Sequence, residues 1–192
     1  MKHVKKALAL ALAIGLLGAG AALADNQDSI TIRMSPPTDY AISLSTDDFN
    51  FGEVELAETY LSTDTTITVT NTGSVSADWG IAGQNSAEGW ELGETPDEDT
   101  IRLRVMLSST TTPESDIEGA SWGEDDSVII AEVTRALDKS FDTEHNEYNG
   151  LNVGADGERR IWFQLETPTQ TTVTEEQDFS VTVEAFAVEH AF

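Results

Sequence analysis

Residues 64–73 read DTTITVTNTG, and this stretch decides the fold. Ile67 and Val69 fall on one face of an extended chain, Thr66, Thr68 and Thr70 on the other, and Asn71-Thr72-Gly73 supplies a turn. Period-two alternation carried by β-branched residues predicts a half-buried strand, because successive side chains of a strand point to opposite faces.

The same pattern recurs on both sides. Upstream, Ile30, Ile32 and Met34 alternate with Thr31 and Arg33, and Tyr40, Ile42 and Leu44 alternate with Ser43 and Ser45. Pro36-Pro37 separates these two runs, since neither proline donates a ladder hydrogen bond. Phe49 and Phe51 follow, ended by Gly52. Downstream, Trp79 and Ile81 predict a short partner strand. Ile101, Leu103, Val105 and Leu107 form one face of a long strand whose other face carries Arg102 and Arg104. Val128 to Val133 is a further apolar run, read as strand, helical turn or crossover. Ile161, Phe163 and Leu165 alternate with Trp162 and Gln164, and Phe179, Val181, Val183, Ala185 and Ala187 close the series. Eight or nine short strands with no amphipathic helix predict an all-β chain folded as an antiparallel sandwich. Ile67, Val69, Leu103, Val105, Ile161, Phe163, Val181 and Val183 are expected to share one interior.

The first 24 residues have a different character. Lys2, Lys5 and Lys6 precede an apolar run from Ala7 to Leu17, and the small-x-small site Ala22-Leu23-Ala24 leads into polar Asp25-Asn26-Gln27-Asp28. This is the pattern of a secretory signal peptide, too short in its apolar part for a stable span. The expected organisation is a cleaved signal peptide, residues 1–24, and a single β-sandwich domain, residues 25–192, with no membrane span in the mature chain. The expected address is secreted, either periplasmic or extracellular. With no cysteine in 192 residues, disulfides, thiolate metal sites and lipid attachment through a thiol are excluded.

Charge bounds the partners. Three of the ten basic residues lie in the signal and none of the 35 acidic ones, so residues 25–192 carry 7 against 35, a net charge of −28. A field of that sign repels phosphate backbones and anionic lipid heads, so nucleic acid is excluded. The 39% hydrophobic content and four tryptophans separate the chain from acidic disordered proteins. A transmembrane barrel needs an outward apolar band with aromatic girdles, which outward Thr and Glu do not supply.

Phe49-Asn50-Phe51-Gly52-Glu53-Val54, followed by Thr66-Ile67-Thr68-Val69-Thr70-Asn71-Thr72-Gly73, resembles the opening of bacterial immunoglobulin-like modules of the hydin-like and choice-of-anchor type. In that family the Phe-Gly pair starts the module and the Asn-Thr-Gly turn follows its second main strand. Residues 159–168, RRIWFQLETP, look like the penultimate strand of secreted bacterial sandwich proteins. The resemblance implies an immunoglobulin-like sandwich doing binding or structural work, and it implies no catalytic residues. The acidic stretch from Glu88 to Asp99 departs from the pattern.

Few residues carry candidate chemistry. Gly119-Ala120-Ser121-Trp122-Gly123 fits G-x-S-x-G, with Asp138 and His145 following Ser121 in hydrolase order. The nucleophile elbow needs an apolar strand before the serine and a helix after it, whereas Asp116 and Glu118 precede and Glu124-Asp125-Asp126 follows. The reading here is an acidic surface turn with Trp122 packed inward. No histidine pair has zinc-site spacing. Asp142, Glu144 and Asn146 have the odd-position spacing of a calcium loop, but Glu147 stands where the tight turn needs Gly and Val153 where a bidentate carboxylate belongs, so no EF-hand forms. Looser calcium sites are read at Asp142 and Glu144, at Asp97 and Asp99, and at Asp125 and Asp126, because calcium accepts irregular oxygen shells. Trp90, between Gly89 and Glu91, is the candidate for an exposed ring stacking on a sugar.

The sequence thus predicts a non-enzymatic structural or adhesive protein of the cell envelope or exterior. No cofactor is called for, calcium being the one candidate ion. The expected partners are a second copy, another envelope or extracellular protein, or a glycan. Residues 25–34 are expected to pair at a sheet edge, either their own or a neighbour's, where strand addition would build a fibre. The alternative is a calcium-dependent or carbohydrate-binding module.

Overall fold

Ile161-Trp162-Phe163-Gln164-Leu165 forms the middle of the strand around which the larger sheet is built. The computed structural model describes residues 34, 38–62, 67–128, 134–135 and 150–188. The chain divides into two compact units, Met1–Pro36 and Pro37–Phe192. Of the first, only Met34 is described; the architecture below is that of the second. The signal peptide, the strand read at Ile30 and Ile32, and the run after Val128 lie outside the described residues.

The strands are β1 (Ile42–Leu44), β2 (Thr59–Leu61), β3 (Ile67–Asn71), β4 (Ala77–Gln84) and β5 (Glu91–Leu92). They are followed by β6 (Thr100–Ser108), β7 (Thr134–Arg135), β8 (Glu158–Glu166) and β9 (Ser180–Ala187). One short helix, α1 (Glu114–Glu118), and a 3₁₀ turn (Glu124–Asp126) separate β6 from β7. The chain is mostly β with curled sheets. Among the described residues the larger sheet runs β1-β3-β8-β6-β5, with β2 also on β8, and the smaller runs β7-β4-β9.

β2 and β3 share one side of β8. Leu61 stands opposite Gln164 and Ile67 opposite Ile161, so the two pairings take up successive stretches of β8. Between them the Ser62 hydroxyl accepts the Phe163 amide at 2.7 Å. Among the described residues all the ladders but one are antiparallel, as expected. The exception corrects the sequence reading: β5 pairs parallel with β6, Glu91 opposite Thr100. A parallel connection normally needs about a dozen residues or more. Here residues 93–99 suffice, because β5 is only two residues long and Asp99, at φ 52°, turns the chain back.

Both sheets feed one apolar cluster. Ile67, Val69, Leu103, Val105, Ile161 and Phe163 enter it from the larger sheet, and Ala77, Trp79 and Ile81 from β4, with Val181 and Val183 packed against it. A fully buried side chain of this size contributes about 1.5–3 kcal/mol. The inward set read from period-two alternation is therefore the observed one. β4 pairs not with β3 but with β9, over eight residues from Ala77 opposite Ala187 to Gln84 opposite Ser180. The strand read at Tyr40, Ile42 and Leu44 is shorter than expected. Tyr40 and Leu44 are exposed and only Ile42 is half-buried, since β1 sits at a sheet edge.

The outer face of β6 and β8 is also covered. Met106 and Trp162 are buried there with Ile117 of α1, against Ala120 and Trp122. The Trp162 indole donates to the Ser108 hydroxyl at 2.8 Å, and the Arg160 guanidinium lies 5.2 Å from its ring. Further along that face Glu166 accepts from Arg102 at 2.6 Å and also from Arg104.

The chain turns at Asn71-Thr72-Gly73 as expected, and Asn71 is fully buried there. Its carboxamide donates to the carbonyls of Val75 (2.9 Å), Val153 (2.8 Å) and Gly154 (3.1 Å) and accepts the Gly73 amide at 3.0 Å. Gly73 has no substitute, since a Cβ there would sit 2.3 Å from the Asp39 carbonyl oxygen.

Candidate functional site

Val181 and Val183 occupy inward positions of β9, yet both are only half-buried. The three strands of the smaller sheet face a larger sheet and do not cover it. The result is a groove of about 980 Å³ between β9 and the inner face of β6 and β8. Phe49, Phe51, Trp90, Phe163, Val181 and Val183 line it.

One wall is the loop 46–56. Phe49 and Phe51 meet edge to face at 4.8 Å, and Phe49 lies 5.8 Å from Phe163. The loop turns at Gly52, φ 75°, whose amide donates to the Asn50 side chain at 2.6 Å. Farther along, the Tyr60 hydroxyl accepts the Glu55 amide at 2.7 Å, and the Thr167 hydroxyl donates to the Glu55 carbonyl at 2.7 Å. These bonds hold an apolar wall that no regular strand supplies.

The opposite wall is the segment 171–179. Trp90 is fixed against it, its indole N–H donating to the Thr171 hydroxyl and its amide to Gln177 Oε1, each at 2.9 Å. Thr171 in turn donates to Asp99 at 2.8 Å, and the Thr172 amide and hydroxyl reach the same carboxylate at 2.8 and 2.5 Å. The two hydroxyls and the amide hold the Asp99 carboxyl below the usual carboxylate range. Trp90, expected as an exposed ring, is therefore half-buried and part of the groove. Around the apolar interior Asp47, Asp48, Glu53, Glu175, Glu176 and Asp178 form an acidic rim.

The calcium candidates do not come together in this site. Asp97 is exposed and turns onto the Glu98 amide, while Asp99 spends its oxygens on Thr171 and Thr172. Asp126 is buried, accepting the Gly123 amide at 2.8 Å; of Asp125 only the backbone, in the 3₁₀ turn, is described. Asp142 and Glu144 lie outside the described residues. Among the described residues no group of three or more His, Asp or Glu side chains converges. Ser121 is exposed and follows α1 rather than a strand, so no nucleophile elbow is built around it. Asp138 and His145 are outside the described residues. Trp122 does pack inward, on the Met106 and Trp162 cluster.

The groove has a further element. Among the described residues β9 pairs with β4 alone, and its Val181 and Val183 line the groove. An apolar channel beside an unpaired strand edge can accept an extended peptide, the edge supplying main-chain hydrogen bonds and the channel taking alternate side chains. No family model, curated protein or solved structure matches this chain. Among the described residues no helix is long and apolar enough to cross a membrane.

Proposed function

We propose that this chain is a secreted, non-enzymatic structural or adhesive protein of the cell envelope or exterior, an immunoglobulin-like sandwich whose subunits join by strand addition. The observation that carries this reading is the apolar groove lined by Val181 and Val183 of β9, a strand that among the described residues pairs with β4 alone. The edge of such a strand is ordinarily blunted by lysine, proline or a bulge. β9 has none of these: it keeps an uninterrupted register against β4, and Glu184 is its one charged residue. The acidic surface keeps free subunits apart in solution, so association needs a specific contact rather than a general apolar patch. The test is the assembly state of secreted material, followed by sedimentation and electron microscopy over a wide concentration range. Growth with concentration supports the reading; a strict monomer throughout overturns it.

Trp90 on the groove wall favours a second reading, a carbohydrate-binding module. Soluble oligosaccharides would then shift tryptophan fluorescence in the native chain and leave Trp90→Ala unchanged. Calcium dependence of either activity would show as a melting temperature raised by calcium and restored by EDTA, since an ion bound only by the native state stabilises it by mass action.

A further inference from the structure

We propose that the occupant of the groove is the segment Ile30-Thr31-Ile32-Arg33-Met34 of a second copy of this chain, added as a strand along β9. The inference rests on the strand-addition reading above and names its donor.

Four observations select this segment. The groove suits apolar side chains from one face of an extended strand, and Ile30, Ile32 and Met34 alternate in the sequence so that an extended chain would carry them on one such face. Met34 is 87% exposed, the largest exposure among the bulky apolar side chains described. Five residues of strand span about 17 Å and the eight of β9 about 27 Å, so the donor fits within the acceptor edge.

Charge complementarity supplies the fourth. Residues 25–192 hold only seven basic side chains, and one of them, Arg33, lies on the face of the donor opposite the isoleucines. On β9 that outer face carries Ser180, Thr182 and Glu184, all exposed, and the half-buried Phe186. A donor whose isoleucines share a face with Val181 and Val183 must place Thr31 and Arg33 on the face of Thr182 and Glu184. Arg33 thereby comes onto the face of Glu184, the one charged residue of β9. A segment carrying Asp or Glu in place of Arg33 would be repelled there, which makes the sign of this one residue a selector among the extended segments of an otherwise acidic chain.

The test follows association of the secreted chain by sedimentation velocity, with near-ultraviolet circular dichroism as the check on folding. Ile32→Asp is expected to abolish assembly while the fold is kept. Arg33→Glu is expected to raise the half-assembly concentration about tenfold, and adding Glu184→Arg to it to restore the native value. A synthetic peptide of residues 28–35, DSITIRMS, is expected in excess to cap growth. If assembly persists in Ile32→Asp and ignores the peptide, growth uses another surface, and this inference falls while the strand-addition reading stands. If Arg33→Glu and Glu184→Arg change the melting temperature of a monomer and leave association unaltered, the segment lies in its own chain and the inference falls. A native chain that stays monomeric at every concentration overturns both.

Discussion

Trp162 and Phe163 are adjacent in sequence and both buried, at 1% and 9% exposure, on opposite faces of β8. Phe163 enters the cluster shared by the two sheets, and Trp162 enters the one closed by Ile117 of α1. A strand covered on one face only would tolerate loss of one of the two rings; this one should tolerate neither. Phe163→Ala and Trp162→Ala are each expected to cost about 3–5 kcal/mol in denaturant unfolding. A neutral Trp162→Ala would mean that α1 does not pack on the sheet.

Asn71→Ala removes the donor that ties the end of β3 to the carbonyls of Val75, Val153 and Gly154. Because Asn71 is fully buried, water does not replace it, and the expected loss is about 1–3 kcal/mol. Asn71→Asp should do no better, since a carboxylate accepts hydrogen bonds and these three partners are acceptors. Urea midpoints of the two variants check this.

The Asp99 carboxyl is held low by hydrogen bonds from Thr172 and Thr171, so its folded-state value lies under the ordinary 3.8. A depressed carboxyl contributes stability that is fully present above its unfolded value and is lost as pH falls through the folded one. The contribution is therefore flat from neutrality down to about pH 4 and disappears on the acid side of that. Asp99→Asn is expected to destabilise the chain at pH 7 and to flatten the acid limb of its unfolding curve below pH 3.8. Melting temperatures of both proteins between pH 2 and 7 decide it.

Glu166 is the shared partner of Arg102 and Arg104, and the Arg104 residue is only 8% exposed. Glu166→Ala leaves two guanidinium groups side by side with one carboxylate fewer. The expected cost is about 1–3 kcal/mol, below the value for a fully buried pair because Glu166 and Arg102 remain partly solvated. Arg102→Ala should cost less than Glu166→Ala, since Arg104 then keeps its partner. Chemical unfolding of both variants gives the order.

Secreted material is expected to begin at Asp25, after the Ala22-Leu23-Ala24 site. Intact-mass measurement reads this directly, and a mass that retains the apolar run from Ala7 to Leu17 would overturn the proposed localisation.

The inward residues of β3, β6, β8 and β9 were legible because each strand alternates cleanly and period two leaves only one apolar face. The burial of Trp162 was not, since by alternation it points outward and what covers it, Ile117, arrives from a helix of five residues with no amphipathic signal. Trp90 read as exposed because Gly89 and Glu91 flank it; Thr171 and Gln177, more than 80 positions away, bury it instead. Asp99 read as a cation ligand, and the same lone pairs hold Thr171 and Thr172. The groove itself has no local signature. It comes from the unequal widths of two sheets, a property of strand order that no single segment encodes.

The position of β8 governs when the chain can fold. Its partners in the larger sheet, β2, β3 and β6, all precede it, and β4 waits likewise for β9. Apart from the short pairings β1–β3 and β5–β6, no ladder of either sheet can close before the last fifth of the polypeptide is available, unless β7 has already joined β4. Such non-local pairing makes folding slow, because loop closure precedes any gain from contact. In a chain of this topology the end of the polypeptide therefore decides when the two sheets close, and truncation within β8 removes a partner strand from each.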